Sequence, residues 1–187
     1  RHMGDDFIIK DGFRMYHGKK VPGFPGHPHR GFETITVVRK GMVDHADSLG
    51  AAGRYGNGDV QWMTAGKGVI HSEIPQQEEG VMEGFQLWLN LHSSEKMNPP
   101  WYRDFQDEQL PKLTIRDGVT ATVIAGASHG VQGAVSRDIT QPLYLDLHLP
   151  QGTRFAQPLP ANHNAFVYVY RGEVSIAGTL VPQKRMA

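Results

Sequence analysis

Two short segments of this chain carry metal-binding side chains at every other position: His27-Pro28-His29 and His71-Ser72-Glu73. In an extended backbone, residues i and i+2 point to the same side, about 6–7 Å apart at Cα. That spacing lets two imidazoles converge on one ion at roughly 2.0–2.1 Å. Pro28 stiffens its dipeptide and donates nothing to a strand ladder. His71 and Glu73 repeat the arrangement after the glycine-rich bend Ala65-Gly66-Lys67-Gly68. Three imidazoles and a carboxylate suit iron, zinc, manganese, nickel, copper or cobalt, and do not suit calcium, which prefers oxygen ligands throughout. A lone His-x-His is common by chance, so the weight lies on the second pair. The other histidines form no such set: His17, His92, His129 and His163 are isolated and read as solvated, while His45 and His148 lie in alternating runs and read as structural.

The elements that must position these residues are strands. Gly 22 and Pro 12 punctuate short runs, and no long segment keeps a helical apolar period. Phe32 to Val38 and Met42 to His45, on either side of Arg39-Lys40-Gly41, read as a hairpin. Asp47 to Asp59, with four glycines, reads as a surface loop, and Val60 to Thr64 and Val69 to Glu73 read as strands. In Phe85 to Leu91 the residues Phe85, Leu87, Leu89 and Leu91 fall on one face, and Gln86, Trp88 and Asn90 on the other. The polar, proline-broken stretch Met97 to Asp104 reads as a connector, with helical turns only near Arg103 to Gln109. Strands resume at Lys112 to Arg116 and Thr120 to Ile124, and Leu143 to Leu149 alternates cleanly. Such spacing indicates an all-β sandwich or barrel.

A weak internal repeat superimposes Phe32–Val43 on His163–Val174, each copy ending in a basic residue, a glycine and a second strand. In the second copy the positions of His27 and His29 are Pro158 and Pro160. The metal pattern therefore belongs to the first half of the chain.

Composition narrows the function classes. Lys+Arg and Asp+Glu are both 19, so no basic stripe exists to recruit nucleic acid or an anionic membrane. Cysteine is absent, which excludes disulfides and leaves nitrogen and oxygen as metal donors. No run approaches the roughly 18 apolar residues of a membrane span. Arg1 to Met3 read as a cloning remnant without a signal-peptide pattern, so a cytoplasmic location is expected.

The runs Gly26 to Thr34, Asp59 to Glu73 and Gly84 to Leu91 together resemble the pirin family in residues, order and spacing. The resemblance is strong over residues 7 to 105 and weaker afterwards. It implies a bicupin: two β-barrel (jelly-roll) cupin domains packed together, with one metal in the first. The expected division is a metal-binding cupin at 4–98, a connector at 99–112 and a second cupin without a metal site at 113–187. That second cupin stops at Ala187 before a full barrel would close, and the strands ahead of His27 look short. Either further segments or a partner would cover the open edges.

The resemblance further implies one divalent transition metal, Fe(II) ahead of the alternatives, held by His27, His29 and His71. The general cupin pattern points to Glu33 as the carboxylate ligand, with Glu33 otherwise a neighbouring or surface group; the pirin pattern points to Glu73. Pirins are associated with quercetin 2,3-dioxygenase activity, the opening of a flavonol ring by O₂. On that reading Glu73 also acts as general base, and Phe32 and Trp88 are candidate walls for a flat aromatic substrate, their alternative being ordinary barrel core. A rival expectation is a non-enzymatic, metal- and redox-sensing regulator that binds a protein partner, and a third is a zinc-stabilised barrel with no open coordination position.

Overall fold

The computed structural model describes residues 9–10, 13–14, 23–76 and 81–187. Arg1 to Met3, the domain start expected at residue 4, and His17 lie outside them. The described residues cluster into two compact units, residues 1–154 and 155–187.

In the first unit the strands are β1 (Ile9–Lys10), β2 (Phe13–Arg14), β3 (Phe24–His29), β4 (Phe32–Lys40), β5 (Val43–Asp47), β6 (Ala52–Tyr55), β7 (Val60–Thr64) and β8 (Val69–Pro75). They are followed by β9 (Glu83–Asn90), β10 (Trp101–Phe105), β11 (Lys112–Thr114), β12 (Thr120–Ala125), β13 (Ala127–Ser128), β14 (Val131–Gln132) and β15 (Tyr144–His148). Single 3-10 turns occur at Ser93–Glu95, Asp107–Gln109 and Arg116–Gly118, and no α-helix occurs among the described residues. Among the described residues no helix is therefore long and apolar enough to cross a membrane.

Two four-stranded antiparallel sheets carry the first unit, one ordered β10-β7-β4-β9 and the other β3-β8-β5-β6. The first sheet is two-faced by register. Across its strands, Gln86, Thr36, Gln61 and Asp104 form one row and Trp88, Thr34, Met63 and Tyr102 the next but one, all on the same face. The intervening rows, Leu87–Ile35–Trp62–Arg103 and Leu89–Glu33–Thr64–Trp101, face the other way. That second face is the apolar one. Ile35, Val37, Val60, Trp62 and Phe105 pack there against Leu110, Ile124, Ala125 and Val135 from the segments that follow. Burial of this large apolar surface is the main stabilising term. It leaves the other face free to be polar, and that face looks onto the second sheet.

Several expectations are corrected. β4 and β5 do not form a hairpin: β4 pairs with β7 and β9, whereas β5 pairs with β6 and β8. Gly41, at φ 94°, carries the chain from one sheet to the other. The segment read as a surface loop contains β6, paired with β5 along Val43↔Tyr55 to Ala46↔Ala52. Its glycines concealed it, yet Gly53 is a strand residue for a steric reason: a side chain there would collide with the Asp104 carboxylate and the Tyr102 hydroxyl. The stretch read as a connector supplies β10, which pairs with β7 from Trp101↔Thr64 to Phe105↔Val60. Of the helical turns expected near Arg103 to Gln109, only Asp107–Gln109 forms. β15 is half-buried along Tyr144–Leu147 rather than alternating.

The second unit holds β16 (Tyr168–Val169), β17 (Glu173–Ile176), β18 (Thr179–Pro182) and β19 (Arg185–Met186), paired β16 with β19 and β17 with β18. The repeat survives at its turn, where Gly172 (φ 68°) precedes β17 as Gly41 precedes β5. Residues 163–167 form no strand, unlike their counterparts in β4.

Candidate metal centre

Register brings the centre together on the inner face of the second sheet. His27 of β3 lies opposite His71 of β8, and His71 lies opposite Asp47 of β5. Period-2 alternation then adds His29 beside His27 and Glu73 beside His71. The ligand-capable nitrogens of His27, His29 and His71 lie within 4.8 Å of one another. His27 Nε2 is 3.1 Å from His29 Nε2 and 3.0 Å from His71 Nε2. His29 and His71 are buried and His27 half-buried.

The donor set fits a metal ion on two counts. His27 Nδ1 lies 2.9 Å from the carbonyl of Pro25, which can only accept, so Nδ1 carries the proton and Nε2 offers its lone pair to the cluster. The spacing agrees as well. Bonds of about 2.1 Å put neighbouring nitrogens about 3.0 Å apart at right angles and about 3.4 Å apart in a tetrahedron. The separations of 3.0 and 3.1 Å are short enough for both pairs to share one ion. Burial, then the neighbouring His27, His29 and His45, push His71 down to about 3 against the opposing pull of Asp47. Burial and His27 lower His29, and Glu73 opposes them. Both imidazoles are therefore neutral at neutral pH, as ligation requires.

Glu73 shares the face but not the cluster. Its carboxylate accepts from Tyr55 Oη at 3.0 Å, from Thr36 Oγ1 at 3.4 Å, and from Gln86 Nε2 at 3.0 and 2.9 Å. Gln86 Oε1 in turn accepts from Trp88 Nε1 at 2.9 Å. Glu33 is on the opposite face of β4. It is fully buried, and Oε1 accepts from Thr64 Oγ1 at 2.5 Å and pairs with Arg137 Nε at 3.2 Å. The expectation that Glu33 is a neighbour of the metal or a surface group is thus corrected: a one-residue step from Phe32 or Thr34 turns a side chain away from the centre.

Phe32 and Trp88 both reach the histidines. Phe32 lies 4.9 Å from the His29 ring and 4.9 Å from Trp88, and Trp88 lies 5.4 Å from His29. Trp88 is 61% exposed on the edge strand β9, so neither is plain core: the pair packs against His29 at the edge of the sheet.

Sequence reasoning missed His45 and Asp47 as members of the centre. His45 is buried, its Nδ1 lying 3.3 Å from His71 Nδ1 and 3.3 Å from Gln61 Nε2, with its Nε2 3.4 Å from Asp47 Oδ2. Tyr102 stacks on its ring at 4.3 Å. The signal was present: His45-Ala46-Asp47 is a third every-other-residue pair of the same kind. Among the remaining histidines, His92, His129 and His148 are exposed and His163 is half-buried.

A polar space between two opposed antiparallel sheets, with three imidazoles meeting on one inner wall, is the build of a metal-binding cupin. More narrowly, the chain belongs to the pirin family. Residues 1–89 match the family model described as Pirin. A Pseudomonas aeruginosa protein provisionally named quercetin 2,3-dioxygenase is 48% identical over 93% of this chain and 63% of its own length. Mus musculus pirin is 44% identical over 96% of this chain and 60% of its own length. Among solved structures, a quercetin 2,3-dioxygenase from Acinetobacter baumannii superimposes with a TM-score of 0.81 at 36% identity, covering 88% of this chain and 58% of that one. The chain thus spans less than two thirds of the length of these relatives.

Proposed function

We propose that this chain provides the metal-binding cupin of a flavonol dioxygenase of the quercetin 2,3-dioxygenase type, with His27, His29 and His71 holding one divalent metal, Fe(II) first among the alternatives. The expected cupin at 4–98 carries the site, and the second cupin domain beyond residue 113 is part of the same reading. The observation that carries it is the meeting of three imidazole nitrogens beside the aromatic pair Phe32 and Trp88. The names of the Pseudomonas and Acinetobacter relatives support the choice of reaction.

A bound metal of this kind would supply Lewis acidity and a means of activating O₂. The protein's own groups do the rest. Phe32 and Trp88 grip the flat ring system, since offset aromatic faces favour this contact and exclude water. Glu73 takes the proton of the substrate hydroxyl. Tyr55, Thr36 and Gln86 hold its carboxylate in place, three of these contacts falling on Oε1 and one on Oε2.

The test is oxygen uptake with quercetin after loading the protein in turn with iron, copper, manganese, nickel and cobalt. Uptake with at least one metal, lost in Glu73→Gln, is expected. No uptake with any of them overturns the assignment.

A further inference from the structure

The side of His71 that faces away from the cluster leads into a chain of groups that the proposed reaction does not use. His71 Nδ1 faces His45 Nδ1 at 3.3 Å, and His45 Nε2 faces Asp47 Oδ2 at 3.4 Å. Both side chains are closed off from solvent, at 0% and 3% exposure. Asp47 is itself anchored, its Oδ1 accepting from the backbone amides of Leu49 at 2.8 Å and Ala51 at 3.0 Å. Tyr102, stacked at 4.3 Å, sets the plane of the His45 ring.

Two proton arrangements fit a pair of neutral imidazoles whose Nδ1 atoms face each other. In one, His71 Nδ1–H donates to the lone pair of His45 Nδ1, and His45 carries its own proton on Nε2. His71 Nε2 then offers a lone pair to the cluster. In the other, His45 donates from Nδ1, its Nε2 lone pair points at a carboxylate, and His71 must carry its proton on Nε2, pointing into the cluster and blocking ligation. A carboxylate only accepts, so Asp47 selects the first arrangement. Gln61 Nε2 lies 3.3 Å from the same His45 Nδ1 and, as a donor, is compatible with that arrangement.

We infer that His45 and Asp47 are positioning residues: through the chain Asp47–His45–His71 they hold His71 in the tautomer that presents Nε2 to the metal. Ligating histidines are commonly fixed by an acceptor on their second nitrogen. His27 uses a backbone carbonyl for this, and His71 uses a second imidazole backed by a carboxylate. The inference rests on the reading of His71 as a ligand.

The experiment titrates the full chain, freed of metal by a chelator, with cobalt(II), following the visible d–d absorption and the affinity in competition with a chelating dye. Asp47→Asn keeps an oxygen for the Leu49 and Ala51 amides but turns an N–H₂ toward His45 Nε2, which favours the blocking arrangement. His45→Phe keeps the stack on Tyr102 and removes both nitrogens. His45→Asn restores an acceptor near the Nδ1 position. Cobalt affinity is expected to fall about 10–100-fold in Asp47→Asn and His45→Phe, the usual effect of losing such a partner. The d–d spectrum should change, the far-UV circular dichroism of the metal-free protein should stay as in the wild type, and His45→Asn should recover most of the affinity. If wild type and His71→Ala differ in binding, yet Asp47→Asn and His45→Phe bind cobalt like wild type, the positioning role is overturned and the metal site stands. Failure of His45→Asn to recover any affinity also overturns it, assigning the loss to packing. If wild type binds no cobalt, or His71→Ala binds it equally well, the reading of the site falls and the inference with it.

Discussion

Trp88 donates its indole N–H to the side-chain oxygen of Gln86 at 2.9 Å, two positions away on the same face of an edge strand. An indole has no acceptor, so the contact fixes which end of the Gln86 amide is the oxygen. The amide nitrogen is thereby aimed at both oxygens of Glu73. An exposed side chain packed against His29 is thus linked through one residue to the Glu73 carboxylate. Trp88→Phe keeps the aromatic wall and loses the donor. It should leave KM for the flavonol near wild type and lower kcat. Trp88→Ala should also raise KM about two- to tenfold, matching the roughly 0.5–1.5 kcal/mol of an aromatic pair. Steady-state kinetics of the two variants separates these effects.

Gln86→Leu removes the amide while Tyr55 and Thr36 still hold Glu73. Leaving a carboxylate with fewer donors costs about 1 kcal/mol, at the low end for such groups because Gln86 is exposed. kcat should fall about tenfold as Glu73 loses its fixed orientation, while the metal content stays at the wild-type level. Equilibrium urea denaturation and metal analysis check the two halves of this expectation.

Glu33 and Glu73 should behave oppositely on substitution. Glu33 lies on the far face of β4, so Glu33→Gln should retain the metal and the activity of the wild type. Its importance is structural: Arg137→Met leaves the fully buried Glu33 carboxylate without its cation and should destabilise the fold by about 3 kcal/mol. Metal content of the one variant and the urea midpoint of the other test the assignment.

The acid side of the stability profile should carry the signature of the cluster. His71 is pushed from 6.5 down to about 3 by burial and by its imidazole neighbours, and His29 is lowered as well. Between those values the unfolded chain binds protons that the folded chain excludes, so stability rises with pH across this window. The melting temperature of the metal-free protein should therefore be insensitive to these groups above about 6.5 and should fall as pH drops toward 3. His71→Asn should flatten that part of the curve in differential scanning calorimetry.

How much of this was legible in the sequence follows from periodicity. His27, His29, His71 and Glu73 were readable because a two-residue repeat determines sidedness wherever the backbone is extended. The two faces of β9 were readable for the same reason. Strand pairing was not: nothing local in Arg39-Lys40-Gly41 distinguishes a hairpin from a step between sheets, and β4 turns out to pair with β7 and β9. The glycines of Asp47 to Asp59 hid β6, because Gly53 is there to admit Tyr102 and Asp104 from a strand distant in sequence. His45 and Asp47 carried the right spacing, but their meaning depends on β5 lying beside β8, which only the register reveals.

On the proposed reading, His27, His29 and His71 together hold one ion. Metal analysis by inductively coupled plasma mass spectrometry on protein purified without a metal-affinity column tests it most directly, with wild type and His27→Ala measured side by side. One transition-metal ion per chain in the wild type, and none retained by His27→Ala after dialysis against chelator, is the expected result. A wild-type protein with no bound metal that takes up none on loading, or a His27→Ala variant that retains a full equivalent, would contradict it.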